Sequence, residues 1–239
     1  MGIIFCIPYA GGSASIFNQW KNKALPGWKV VPVELSGKGS RFAEGPYENM
    51  EIAVVDIYKR VVDALSEDYI IYGHSMGALI AYELVQKIRF YDGPPPKHIV
   101  FSGCVPPDKF QLTGIDLTSD SEIKQRLLSL GGTPPQIIKN TDLASVFLPI
   151  IRADYQLLQR YIFDKTAPLT EDISIFYGKN DNTVSLNDLM TWDAMTTGKT
   201  EYYEFEGNHF FLNDESNKVI DCLNEICTNF RFDSSQLNP

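Results

Sequence analysis

The sequence predicts an α/β fold, a mostly parallel sheet flanked by helices and interrupted by one helical insertion. Two observations carry this. Six short apolar runs are separated by stretches with helical periodicity. The runs are mostly continuous rather than alternating, as in strands buried on both faces. A third observation, a single hydroxyl at a sharp strand–helix corner, points to where the chemistry sits.

In chain order the strands are "IIFCIPY", "WKVVPVEL", "YIIYG", "HIVFSG", "DISIFYG" and "TEYYEFEG". A helix is expected from about Glu48 to Ser66, with Ile52, Val55, Tyr58, Val62 and Leu65 on a shared face. A second starts at Met76. A third begins near Ser185, where Ser185 and Asp188 make a capping pair. The last runs from about Asp214 to Phe230, with Val219, Leu223, Ile226 and Cys227 on one side. Strands alternating with helices imply a parallel sheet. The polar tail "DSSQLNP" is expected to fray.

The alternation breaks between about 108 and 165, where no strand pattern occurs. Ser119 and Glu122 form a capping box ahead of "IKQRLLSL", and Gly131-Gly132 would end that helix. Thr133, Pro134 and Gln136 repeat the start signal. A longer helical stretch carries Phe147, Ile151, Leu158 and Tyr161, with Pro149 as an expected kink or break. This insertion is either extra packing or a lid. The lid is the expectation, because α/β folds bind ligands at the carboxyl ends of their strands.

Composition bounds the rest. The 239 residues suffice for one domain, 1–239, with a sizeable core. A net charge of −9 argues against nucleic-acid binding, which needs a basic footprint. The opening "MGIIFCIPYAGG" lacks the basic region of a signal peptide, and Cys6 stands where a myristoylation signal wants Ser or Thr. No stretch approaches the ~18 continuous apolar residues of a membrane span. Cys6, Cys104, Cys222 and Cys227 lack metal-site spacing and read as small buried hydrophobes in a reducing compartment. A cytoplasmic monomer without membrane contact is expected.

The corner is Gly73-His74-Ser75-Met76-Gly77, a G-x-S-x-G between a strand and a helix. So tight a turn strains the serine, and its small neighbours let strand and helix approach. The Ser75 hydroxyl is exposed at the top of the sheet, and the Met76 N–H points to the same place. Serine needs a base. Of three histidines, His98 opens a strand at the wrong end of the sheet. His74 adjoins Ser75, diverges from it, and is expected to pack beside the sheet as a bystander. His209, in "EGNHFFL" after the last strand, remains. The orienting carboxylate should lie between Ser and His in chain order, just after a strand. Asp181 in "YGKND" fits. Asp188 and Asp193 read as helix surface, and Asp154 and Asp164 lie in the insertion. The second oxyanion donor is expected at Ala10, in the glycine-bearing turn "YAGG", with Met76 as its partner. "SGKGSR" lacks the Ser or Thr a phosphate-binding loop needs after its lysine, so it reads as a basic loop.

Taken together, "CIPYAGGSASIF", "VPVELSGKGSRF", "YGHSMGALIAYEL", "LGGTPP", "FLPIIRADY", "YGKND" and "GNHFFL" resemble, in this order, the type II thioesterases of nonribosomal peptide and polyketide synthases. The resemblance runs from Cys6 to about Asn213. Ser36 departs from it, standing where the family usually has proline. The resemblance implies an α/β-hydrolase fold with a mobile helical lid at about 108–165. It implies Ser75 as nucleophile, Asp181 as acid, His209 as base, and the Ala10 and Met76 amides as oxyanion hole. The implied substrate is an acyl or aminoacyl group on the phosphopantetheine arm of an acyl or peptidyl carrier protein. No metal or cofactor of the enzyme's own is implied. A free-standing acyl-CoA thioesterase or small-substrate esterase would use the same residues. A catalytically dead binding protein would have no need of them.

Overall fold

Six parallel strands stand side by side in the order β2-β1-β3-β4-β5-β6 in the computed structural model, which describes residues 1–132, 136, 138, 140–165 and 167–230. They are β1 (Gly2–Ile7), β2 (Trp28–Pro32), β3 (Tyr69–His74), β4 (His98–Ser102), β5 (Ile173–Gly178) and β6 (Thr200–Phe205). Thr133 and Pro134 of the repeated helix-start signal, and the polar tail, lie outside the described residues.

The continuous apolar runs supply both faces of the sheet. Ile3, Phe5 and Ile7 of β1 join one apolar cluster, and Ile4 and Cys6 join the other. In β3, Tyr69 and Ile71 face the first cluster and Ile70 and Tyr72 the second. The period-2 alternation of a strand assigns each residue to its face.

The helices include α1 (Met50–Val61), α2 (Met76–Phe90), α3 (Asp120–Leu130), α4 (Thr141–Gln159), α5 (Leu186–Leu189), α6 (Phe211–Asp214) and α7 (Ser216–Thr228). α1 and α2 cover the first cluster, and α7 covers the second together with Phe17 and Trp20 of the 3-10 segment Ala14–Trp20. The chain leaves β1 toward β2 on one side and returns to β3 on the other. The strand order therefore reverses between β1 and β3, and their carboxyl ends open a crevice where ligands bind in such sheets.

Several helix signals act as expected. Ser119 accepts from the Glu122 amide at 3.3 Å, and Gly131 ends α3 with φ +79°. The reciprocal arm differs, since Glu122 reaches the Asp116 amide at 2.7 Å. Ser185 accepts from the Asp188 amide at 3.1 Å, but α5 is a single turn that passes into a 3-10 segment, Met190–Met195. α4 continues through Pro149 without a break.

One expected helix face is corrected. α1 buries Met50, Ala53, Val54, Ile57 and Val61, whereas Ile52 is 44% and Val62 36% exposed. The segment holds two apolar stripes at helical spacing. The Asn49 side chain, accepting the Ile52 amide at 2.9 Å, starts the helix at Met50, and the stripe containing alanine is the one that packs on α2.

Glycine is required where β3 meets α2. A Cβ on Gly73 would overlap the Gly77 carbonyl, and one on Gly77 would overlap the Ile7 carbonyl of β1. Gly77→Ala is therefore expected to destabilise the protein by about 2–4 kcal/mol in urea unfolding. Gly45→Ala, where an added Cβ meets nothing within 4 Å, should change stability by less than ~0.5 kcal/mol.

Candidate active site

The corner itself holds Ser75 at φ 55° and ψ −117°, a backbone conformation L-residues rarely adopt. The Ser75 amide donates to the Ser102 carbonyl at 2.7 Å, tying the corner to the end of β4. Ser75 is half-buried, and its hydroxyl lines a cavity.

Two loops bring the other polar groups to it. Beyond β5, Asp181 is buried, its amide bonded to the Gly178 carbonyl at 3.1 Å. Beyond β6, His209 is buried on a loop pinned by the Asn180 amide, which donates to the Gly207 carbonyl at 2.8 Å. His209 Nε2 lies 3.0 Å from Ser75 Oγ, and His209 Nδ1 lies 2.7 Å from Asp181 Oδ2. Ser75, His209 and Asp181 thus form one hydrogen-bonded chain, with Nδ1–H donating to the carboxylate and Nε2 left to accept the serine proton. Such a chain can activate a hydroxyl for attack on a carbonyl and stabilise the imidazolium that forms.

Thr183, which sequence reasoning passed over, completes the carboxylate's environment. Its hydroxyl and amide donate to Asp181 Oδ1 at 2.6 and 2.9 Å, and its oxygen is 3.0 Å from His209 Nδ1. Burial alone would raise the Asp181 carboxyl. The His209 hydrogen bond and charge, with the two Thr183 donors, outweigh burial and hold it below the usual range. The signal was present in the Asp-x-Thr spacing, which favours a turn closed by the aspartate side chain.

His74 packs beside the sheet and diverges from Ser75, as expected, and it also bonds the loop that carries His209. Its Nε2 lies 2.9 Å from the His209 carbonyl oxygen, and its Nδ1 lies 2.8 Å from Ser102 Oγ. A carbonyl can only accept, so Nε2 carries the proton and Nδ1 accepts from Ser102, whose oxygen accepts from Tyr72 OH at 3.0 Å. The ring thereby holds the backbone of His209 and has no nitrogen left for Ser75. Burial drives its pKa down to about 3, and the neighbouring His209 adds to the push.

Met76 is the first residue of α2, so its N–H has no intrahelical acceptor, while its side chain is buried in the core. Ala10 lies in a turn closed by the Gly12 amide, which donates to the Tyr9 carbonyl at 2.9 Å. The Gly11 amide donates to Asp154 Oδ2 at 2.7 Å. The Ala10 amide is the one of the three that no acceptor among the described residues engages, and Ala10 lines the cavity with Ser75 and His209.

The cavity, of about 380 Å³, runs from these groups under the insertion. Leu127 and Leu130 of α3, Phe147, Ile151, Tyr155 and Leu158 of α4, and Phe110 and Leu112 ahead of them give it an apolar wall. Lys38 and Arg41, expected in a basic loop, are both buried. Arg41 bonds Glu44, Asp56 and the Glu34 carbonyl, and Lys38 bonds Asp154. Among the described residues no group of three or more His, Cys, Asp or Glu side chains is placed to hold a metal, and no helix is long and apolar enough to cross a membrane.

A parallel sheet carrying a strained serine after β3, a carboxylate after β5 and a histidine after β6 has the order of an α/β-hydrolase. The comparisons agree with that class and narrow it. The model of the thioesterase domain family matches residues 2–227, and the chain belongs to that family. It is 33% identical to the gramicidin S biosynthesis protein GrsT of Aneurinibacillus migulanus, over 92% of this chain and 86% of that one. The structure of ClbQ from the colibactin NRPS/PKS pathway superposes with a TM-score of 0.90 at 34% identity, over 95% of this chain and 97% of ClbQ. RedJ, a thioesterase of prodiginine biosynthesis in Streptomyces coelicolor, gives 0.88 at 31% identity, over 94% and 85%. The chain is a thioester hydrolase of the α/β-hydrolase fold.

The depressed His74 gives a pH signature of stability. In the unfolded chain this ring takes a proton near pH 6.5, in the folded protein only near 3. Between these values the unfolded state binds more protons. This contribution to stability is complete above about pH 6.5 and is lost as pH falls toward 3. Burial lowers His98 with the same sign. Urea unfolding from neutral pH down to about pH 4 should therefore show stability falling by up to about 1.4 kcal/mol per pH unit from His74, with His98 adding in the same direction. His74→Gln should remove its share of that slope.

Proposed function

We propose that this thioesterase removes acyl or aminoacyl groups from the phosphopantetheine arm of a carrier protein, an editing, type II role beside a nonribosomal peptide or polyketide synthase. The hydrogen-bonded run from Asp181 through His209 to Ser75, opening on an apolar cavity, carries the chemical half of this reading. Similarity over nearly the whole of ClbQ, a protein of an NRPS/PKS pathway, supports the carrier-bound substrate. Four free cysteines suit a reducing cytoplasm.

Ser75 Oγ attacks the thioester carbonyl carbon while His209 Nε2 takes its proton. The carbonyl oxygen becomes an oxyanion, received by the Ala10 and Met76 amides, each worth roughly 3–4 kcal/mol in such a site. Collapse breaks the C–S bond, and the thiol leaves with the proton held by His209. A thiol pKa near ~8.5 makes this an easy departure. Water then gives a proton to His209, attacks the acyl-serine, and releases the free acid as Ser75 recovers its hydrogen. Asp181 holds the imidazole in the required tautomer throughout. The helices 108–165 act as a lid whose apolar wall receives the acyl chain.

Ser75→Ala and His209→Ala should each lower kcat/KM at least ~10³-fold, and Asp181→Asn by a smaller factor. Near-wild-type turnover by Ser75→Ala would sink the mechanism. Turnover of an acetyl-carrier protein, acetyl-CoA and a p-nitrophenyl ester should rank the carrier first. Faster cleavage of the simple ester or of acetyl-CoA would leave a free-standing esterase or acyl-CoA thioesterase instead.

A further inference from the structure

A buried ion pair, Lys38 with Asp154, takes no part in the steps above. Asp154 projects from α4 and is 3% exposed, and Lys38 is 4% exposed. Asp154 Oδ1 accepts from Lys38 Nζ at 2.8 Å, and Asp154 Oδ2 accepts from the Gly11 amide at 2.7 Å. Buried ion pairs seldom raise net stability over an apolar replacement, so position is the better guide to what this one does.

That position is the turn carrying Ala10. Gly11 has φ +78°, and a Cβ on it would come within 2.7 Å of Ile151 Cγ1, one helical turn before Asp154. Ile151 and Asp154 therefore grip the same residue. The two peptide planes flanking Ala10 are each held by one bond. The plane before it is held through the Tyr9 carbonyl, which accepts from Gly12, and the plane after it through the Gly11 amide on Asp154. The Ala10 N–H lies in the first plane, and the second limits how far that plane can rotate.

We propose that Asp154, neutralised by Lys38, is a positioning residue that aims the Ala10 amide at the developing oxyanion, so that α4 must be seated on the Gly11 turn for the enzyme to be competent. This rests on the reading of Ala10 as an oxyanion donor. It makes α4 a wall clamped to the reacting loop, and confines opening of the insertion to the part ahead of that clamp.

The test compares Asp154→Asn, the double variant Lys38→Met/Asp154→Leu, and a protein with glycolic acid replacing Gly11, which removes only the N–H that Asp154 accepts. A fourth protein carries lactic acid at position 10, which removes the Ala10 N–H. Each is assayed for kcat and KM on one acyl thioester, for the rate of labelling by a fluorophosphonate, and for its urea midpoint. The first three should lose about 10- to 100-fold in kcat and in labelling rate, with KM changed less than ~3-fold. The apolar double variant should recover the urea midpoint without recovering kcat. Recovery of kcat together with stability, or full kcat with glycolic acid at position 11, overturns the assignment of Asp154. If lactic acid at position 10 costs about 100-fold while these variants stay active, the Asp154 inference alone fails. If it costs nothing, the reading of Ala10 fails, and the inference with it.

Discussion

Everything at this site depends on one backbone conformation, Ser75 at φ 55°. A residue in that region stores of order 1–3 kcal/mol of strain and persists only where its surroundings over-determine it. Three constraints do so here. The Ser75 amide is bonded to Ser102 on the neighbouring strand. Gly73 and Gly77 let α2 cross β3 at backbone contact. The Ile7 carbonyl of β1 closes the space behind Gly77. In return the corner brings the hydroxyl to the cavity and begins α2 with Met76, whose amide has no intrahelical acceptor. Any shift of α2 on β1 would move the Ser75 hydroxyl and the Met76 amide together.

The remaining groups reach the corner from loops that the insertion also touches. Gly131, at the end of α3, lies against Asn208, so that a Cβ there would come within 2.6 Å of its side-chain nitrogen. Gly132 lies against the Phe210 ring. α3 is thus seated on the histidine loop and α4 on the Ala10 turn. The apolar cavity is the space left between these two seats, so its wall comes from the insertion while its polar end comes from loops that follow the strands.

Most of this framework was legible in the sequence because it is local. Continuous apolar runs mark doubly covered strands, and all six lie where expected, with ends adjusted by a few residues. Ser75, Asp181 and His209 could be reached because strand ends in a parallel sheet converge, and so few histidines left little to choose between. What stayed hidden is long-range and polar. Adjacency in sequence makes His74 diverge from Ser75 and says nothing of where its ring goes. The ring reaches the carbonyl of a residue 135 positions away. Asp154 looks like any other aspartate of the insertion because its partners, Gly11 and Lys38, come from two distant loops. The face of α1 was misplaced because two apolar stripes compete within one segment, and only the cap at Asn49 and packing on α2 decide between them.

The buried polar groups also share an electrostatic logic. An oxyanion is best stabilised by fixed amides in a site closed to water, where each interaction is stronger than in solvent. Such a site penalises every unmatched charge. Asp154 is matched by Lys38 and the Gly11 amide. His74 is kept neutral by burial and by the second histidine beside it, although a carboxylate lies nearby. Asp181 remains ionised, with one oxygen held by Thr183 and the other left to His209. The Asp181 carboxylate thus stands behind the His209 imidazole, which becomes positive in the proposed mechanism. Had His74 been charged, it would have repelled that imidazolium from the backbone side. In the proposed mechanism its enforced neutrality serves the same step as the charge on Asp181.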